Sequence, residues 1–219
     1  MNAKVSTFFS RLRSTTVPLV ALLSLVGCVT TGAQNSSGLA PQTLDPSQRG
    51  PAGGVGIEGQ DIISMTDQML RDMMSDEQLA GKKPAPRIIV DAEYFVNESS
   101  QPINKSIITD RLRVGLNRAA RGKMVFVGRN YAGMVQQERD LKRQGVTDIG
   151  TTGLAKAQAG ADLRMAGRIT SIDQRNVRSG VMQRYNQITF EMVDLETGVI
   201  IWSGMYEFLR SAADDVVYR

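Results

Sequence analysis

The single cysteine, Cys28, is the side chain whose chemistry the sequence defines best. The chain has 219 residues and no histidine, so the commonest general base and the commonest metal ligand are both absent. One cysteine allows neither an intrachain disulfide nor a cysteine-based zinc or iron–sulfur site. Only carboxylate or Ser–Lys chemistry remains open for catalysis. We therefore expect no cofactor and no metal site.

A pair of carboxylates, Asp91 and Glu93, lies on one face of a strand predicted over residues 87–96. Two carboxylates on one face are a possible acid–base pair. No general base, metal ligand or Gly-rich loop accompanies them, so the interpretation we prefer is a solvated face of the sheet. We predict no catalytic residues in this chain.

The N-terminus has the features of a secretory signal. Lys4, Arg11 and Arg13 precede an apolar stretch from Val17 to Val26. That stretch is too short to cross a bilayer, because a membrane-spanning helix needs about 20 residues. The three basic residues also supply most of the formal charge of +4, which leaves the rest nearly neutral and predicts no nucleic-acid partner.

The apolar stretch ends in Leu25-Val26-Gly27-Cys28, which resembles the lipobox of bacterial lipoproteins. The small Gly27 admits the signal peptidase, and the thiol of Cys28 accepts diacylglycerol before cleavage. We predict a signal peptide over residues 1–27 and lipidation of Cys28; a chance cysteine after an ordinary signal is the alternative. Val29, where some lipoproteins carry Asp, resembles the sequences sorted to the outer membrane.

Residues 28–60 are predicted to form a flexible, lipidated tether, because Gly, Ser, Gln, Thr and Pro dominate the segment. Its roughly 32 residues span about 30 Å as a coil and about 100 Å when stretched. Residues 54–59 match the dinucleotide-binding pattern G-x-G-x-x-G, but no strand precedes them. We interpret the motif as part of the linker.

Residues 61–219 are predicted to fold as one α+β domain, a mixed β-sheet covered by helices in the order α-β-α-β-α-α-β-β-β. The first strand–helix–strand run predicts a parallel pair of strands with a right-handed crossover. The helices are expected at 61–79, from Ser106 to Gly122, at 131–144 and at 152–159. The strands are expected at 87–96, 124–128, 163–170, 187–192 and 199–208, with a loop from Gln174 to Met182 and a tight turn at 195–198.

Two apolar features could belong either to the core or to a partner surface. Met65, Met69 and Met73 share one face of the first helix with Ile62. Trp202 and Tyr206 lie on the last strand. We interpret the methionine stripe and Trp202 as core, with partner binding as the alternative.

Several short motifs within residues 61–219 together resemble those of a known family. They are Arg87-Ile88-Ile89-Val90-Asp91, Asn97, Arg111-Leu112-Arg113, Gly160-Ala161-Asp162, Gly167-Arg168-Ile169 and Glu196-Thr197-Gly198-Val199-Ile200-Ile201-Trp202-Ser203-Gly204. The domain thereby resembles the LpoB family of outer-membrane lipoproteins, which activate a bifunctional (class A) penicillin-binding protein. Weaker resemblances extend to curli-secretion lipoproteins and to the N-terminal domain of TolB-like proteins. The tether here is shorter than in better-known members, and the loop from Gln174 to Met182 is longer.

The resemblance implies an enzyme activator that is not itself an enzyme. A monomer anchored in the outer membrane would dock on a non-catalytic domain of a peptidoglycan synthase. Arginine is over-represented at binding hot spots, so two arginine clusters are the candidate docking residues. One lies on the second helix and one around the predicted β-loop: Arg111, Arg118 and Arg121; Arg175, Arg178 and Arg184. The alternatives are a curli-type secretion subunit that assembles into a ring and a cell-wall hydrolase that uses Asp or Glu.

Overall fold

The structure is a computed structural model that describes residues 42–51 and 53–213. The described residues from Leu44 onward belong to one compact unit. The predicted signal peptide and Cys28 lie outside the described residues. No helix in the described part of the chain has the length and apolar character needed to cross a membrane.

The first predicted helix is divided in two. Helix α1 spans Gly59–Ser75 and helix α2 spans Glu77–Ala80. Asp76 separates them because its side chain accepts hydrogen bonds from the backbone N–H groups of Gln78 and Leu79, which starts a new helix. Met65, Met69 and Met73 are fully buried, so the interpretation of the stripe as core is confirmed.

The prediction of one strand over residues 87–96 was wrong. Strand β1 spans Arg87–Ile89 and strand β2 spans Phe95–Asn97, with a turn between them. The Asp91 carboxylate accepts a hydrogen bond from the N–H of Glu93, which stabilises the turn. The turn also changes which side chains are buried, because Phe95 enters the core while Tyr94 and Val96 are exposed.

Helix α3 spans Lys105–Ala120, and strand β3 spans Val125–Phe126. The predicted cap, Ser106, is wrong by two residues, because the Asn104 side chain accepts the N–H of Ser106 instead. Ile108, Leu112 and Leu116 point into the core, as their helical spacing predicts. Strands β1 and β3 pair in parallel, which confirms the predicted pairing.

Helix α4 spans Ala132–Arg143 after a short 3₁₀ turn at Arg129–Tyr131. The helix predicted at 152–159 is absent from the structure, because that stretch is irregular. Gly150 and Gly153 have φ angles of 66° and 67°, in the left-handed region that interrupts a right-handed helix. Ala-rich composition was therefore a poor guide in this stretch.

Three strands of equal length form the remainder of the sheet: β4 (Leu163–Asn176), β5 (Val181–Asp194) and β6 (Ile200–Ala213). The predicted loop from Gln174 to Met182 was wrong, because β4 and β5 stay paired up to Asn176 and Val181. The Asn176 side chain accepts the N–H groups of Arg178 and Ser179, which closes a tight turn. Gly180, with φ of 62°, completes the turn.

The six strands form one mixed sheet in the order β3-β1-β4-β5-β6, with β2 also paired to β4. The core lies between this sheet and the helices α1 and α3. Its strand residues recur at every second position, as in Met165, Ile169, Ile188 and Phe190. Trp202 is buried in the same core, as predicted. The α+β class with a mixed sheet covered by helices is confirmed.

Residues 53–58, which we call the strap, differ from the prediction of a flexible tether. Val55 and Ile57 within the strap are buried, and Ile57 belongs to the core cluster. The Gly-rich pattern predicts flexibility from local composition alone, whereas contacts with distant residues order the strap. The division of the chain at residues 27 and 60 stays a prediction.

Candidate functional site

A groove lies between helices α1 and α3 and has a volume of about 630 Å³. We call it the helix groove. Ile107 and Val114 of α3 lie in it half-exposed, seven residues apart and therefore two turns apart on one helix face. It is lined by Pro46, Gly59, Ile62, Ile63, Thr66, Asp67, Leu70, Ile107, Asp110, Arg111, Val114, Gly115 and Arg118.

The groove is formed because the two helices pack closely through a small residue. A Cβ atom at Gly115 would lie 2.7 Å from Cδ1 of Leu70, so a larger residue would force the Leu70 side chain to shift. Arg111 then joins the helices across the groove. Its Nε donates to Oγ1 of Thr66 at 2.8 Å, and its Nη2 lies 3.3 Å from Oδ1 of Asp67.

The charges along the groove differ in how far they are neutralised. Arg111 faces Asp67, and Arg113 donates to Asp110 at 2.7 Å. Arg118 lines the groove without an ion pair to any carboxylate in the described part of the chain. Its positive charge is therefore available to a carboxylate of a partner. The groove combines apolar side chains with one uncompensated cation.

The structure places two of the six predicted docking arginines, Arg111 and Arg118, in the helix groove. Arg121 lies beyond the groove, at the C-terminal end of α3, where its φ of 46° is left-handed. The interpretation of these residues as partner contacts stays a prediction. The sequence analysis missed the apolar lining, although the seven-residue spacing of Ile107 and Val114 was visible.

The other cluster does not form a continuous surface. Arg184 is buried on β5, and its Nε lies 2.5 Å from Oδ1 of Asp173 on the neighbouring strand. This guanidinium lowers the pKa of the Asp173 carboxyl, against the opposing effect of partial burial. Arg178 lies in the exposed turn after Asn176, and Arg175 lies at the end of β4. The pair of Arg184 and Asp173 therefore stabilises the hairpin.

The two carboxylates considered for catalysis are bound by one arginine. Arg164 of β4 donates to Asp91 at 2.9 Å and also to Glu93, while the Tyr94 ring lies 4.4 Å from its guanidinium carbon. The prediction of a solvated face was wrong for Asp91, whose side chain is largely buried. This cluster joins the β1–β2 turn to the sheet, which accounts for both carboxylates.

Comparison with known proteins identifies relatives of the domain. A family model described as the peptidoglycan-synthase activator LpoB matches residues 61–208. No curated protein sequence matches the chain significantly.

The chain is also similar in fold to several solved structures. The LpoB C-terminal domain from Salmonella enterica is 22% identical, with a TM-score of 0.41, and the match covers 68% of this chain and 98% of that one. The Escherichia coli LpoB C-terminal domain is 21% identical over the same shares, with a TM-score of 0.40. The lipoprotein GNA1162 from Neisseria meningitidis is 16% identical over 58% of this chain and 84% of that one, with a TM-score of 0.30.

Proposed function

This chain belongs to the LpoB family of peptidoglycan-synthase activators, and from that membership we propose that it activates a bifunctional class A penicillin-binding protein. The family match over residues 61–208 is the observation that carries the proposal, because it spans nearly the whole described domain. The same match favours an activator over a curli-type ring subunit. In this proposal the chain is a monomer that transforms no substrate itself.

The position of the activator follows from its predicted anchor. Acyl chains on Cys28 would hold the protein in the outer membrane, since further chains each add about 0.8 kcal/mol per buried CH₂. The domain then faces the periplasm. Mass spectrometry of the mature protein tests this step directly: an acylated N-terminal Cys28 supports it, and a free thiol in the soluble fraction contradicts it.

The helix groove is the surface that we propose for docking. Its half-exposed Ile107 and Val114 suit an apolar side chain of a non-catalytic domain of the synthase, and Arg118 suits a carboxylate beside it. Activation needs only that the active conformation of the synthase binds the groove more tightly than the inactive one. A groove backed by two packed helices provides a rigid surface for that discrimination.

Glycan-chain synthesis from a lipid-linked substrate is the decisive measurement. Each class A synthase of the same cell is assayed with and without this protein. We expect at least one synthase to make glycan chains faster when the protein is added. Failure with all of them, with the protein shown to be folded, contradicts the proposed function. Light scattering of the same sample tests the monomer.

A further inference from the structure

The strap is bound to the domain through its main chain. The side-chain amide of Gln101 contacts Ile57 twice, accepting its N–H at 2.7 Å and donating to its C=O at 3.1 Å. The fully buried Asn186 of β5 donates to the C=O of Val55 at 3.1 Å. Arg210 of β6 donates to the C=O of Gly56 at 2.9 Å. Three distant parts of the chain thus hold the strap.

Gly56 shows how closely the strap approaches these side chains. A Cβ atom at this position would lie 2.4 Å from Oε1 of Gln101, so a larger residue would displace the Gln101 amide from its contacts with Ile57. The apolar side chains of the strap itself, Val55 and Ile57, are buried. Gly56 therefore allows close packing of the main chain on the domain.

The strap ends where α1 begins, and Arg210 contacts both segments, because it also lies 3.4 Å from Oε1 of Glu58. Arg210 also donates to Oδ1 of Asp61 at 2.6 Å, and Asp61 accepts the N–H of Glu58 at 2.8 Å. Met65, one turn further, is fully buried. If residues 53–58 detach, the ion pair of Asp61 with Arg210 and the burial of Met65 still hold α1. Detachment of the chain should therefore stop at the start of α1.

The residues before the strap contact both the strap and α1. The described contacts of residues 44–51 with the rest of the domain are an ion pair of Arg49 with Glu58 at 3.8 Å and the approach of Pro46 to Gly59 and the helix groove. Detachment of the strap would remove the Arg49–Glu58 ion pair, and loss of the Pro46 contact with α1 would then release the chain back to Leu44. That stretch has about 15 residues and a stretched length of about 50 Å.

We propose that the strap is a tension-released latch that sets the reach of the domain. The inference rests on the proposed anchor at Cys28 and a partner across the periplasm. With the strap bound, the chain between Cys28 and Leu44 can stretch to about 55 Å, and with the strap released the reach to α1 is about 100 Å. Tension on residue 53 loads the strap contacts one after another, whereas the paired strands β4, β5 and β6 bear a load together.

The latch also explains how a short tether could serve an activator. The gain from burying Val55 and Ile57 and forming the main-chain contacts is similar in size to the cost of ordering six residues. A small load should therefore shift the balance toward release. The core, with many more buried side chains, stays folded at that load.

Single-molecule pulling tests the latch without any partner, so its result is independent of the activation assay. The full chain is produced in a cytoplasm, where Cys28 stays unacylated, and is pulled between Cys28 and a second thiol from Arg118→Cys. We expect a reversible lengthening of about 50 Å before the domain unfolds. Unfolding in one step, with no earlier lengthening, would overturn the proposal.

A matched pair of variants assigns the lengthening to the strap. Gln101→Ala removes both contacts to Ile57, and the early step should occur at a lower force or be lost, with the later unfolding force unchanged. Gln137→Ala on the exposed face of α4 is the control and should leave both steps unchanged. An early step with the same force in Gln101→Ala and in the unmodified chain would also overturn the proposal.

Discussion

The helix groove and the β4–β5 hairpin each carry predicted docking arginines, yet the two regions use them differently. In the groove, Arg118 lies beside apolar side chains and faces no carboxylate of the described chain. In the hairpin, Arg184 lies directly across from Asp173 in the strand register and pairs with it. The difference shows that the group opposite an arginine, more than its position in a cluster, decides whether it can serve a partner.

The largest effect is expected for stability, at the hairpin. Arg184→Met removes a side chain that is 7% exposed and leaves Asp173, which is 34% exposed, without its cation. We expect a loss of about 2 kcal/mol, below the 3–5 kcal/mol of a fully buried pair because water still reaches Asp173. Urea denaturation measures it. Arg178→Met in the exposed turn should lower the free energy of unfolding by less than about 0.5 kcal/mol. Equal losses in both variants would contradict the distinction between the paired Arg184 and the exposed Arg178.

The next effect is expected in binding, at the groove. Val114→Asp places a carboxylate among apolar side chains at a position that is 50% exposed, so the fold should tolerate it. We expect affinity for the synthase to fall about 10-fold, or about 1.4 kcal/mol, with unchanged stability. Val199→Asp, at a turn position that is 55% exposed, is the matched control. Unchanged affinity in Val114→Asp would remove the groove from the docking surface.

A smaller effect should come from charge alone. Arg118→Glu reverses the uncompensated cation of the groove, and Arg178→Glu makes the same change in the hairpin turn. We expect Arg118→Glu to weaken binding by about 1 kcal/mol at low salt and by less at high salt, because ions screen exposed charges. Arg178→Glu should have no effect. Association rates measured by surface plasmon resonance at two salt concentrations distinguish the regions.

The sequence predicted those parts of both regions that depend on local periodicity. Helical spacing correctly placed Met65, Met69 and Met73 in the core, and strand alternation correctly placed Ile169 and Ile188 there. The turn at 177–180 was missed, because the polar run from Gln174 to Met182 has the composition of a loop. Because the turn was missed, the pairing register of β4 and β5 could not be predicted. The position of Arg184 directly across from Asp173 could then not be predicted either.

Local sequence patterns did not predict the strap or the groove, and the reason is related. The contacts of the strap come from Gln101, Asn186 and Arg210, which are far from it in sequence, so its Gly-rich composition predicted a tether. The groove depends on the approach of Leu70 to Gly115 on another helix. Such pairings follow from tertiary packing, which a single sequence does not display.

The smallest effect is expected in the pH at which two aspartates titrate. Asp61 pairs with Arg210 at the start of α1, and Asp173 pairs with Arg184 in the hairpin. Burial raises the pKa of Asp61 above its usual 3.8, and this outweighs the lowering by the N–H of Glu58 and by Arg210. The pKa of Asp173 is lowered below 3.8, chiefly by its hydrogen bond with Arg184. On acidification, Asp61 should therefore bind a proton at a higher pH than Asp173.

The consequences for stability have opposite signs. The stabilisation from Asp173 is present above pH 3.8 and is lost as the pH falls through its lowered pKa. The cost of burying charged Asp61 is present at neutral pH and is relieved as the pH falls through its raised pKa toward 3.8. Carboxyl carbon NMR shifts measured between pH 6 and about pH 2.5, a range chosen to span the aspartate reference value, should show Asp61 titrating first, and Asp61→Asn should remove that transition alone. If Asp173 titrates before Asp61, the two aspartates do not differ in the way that their surroundings indicate.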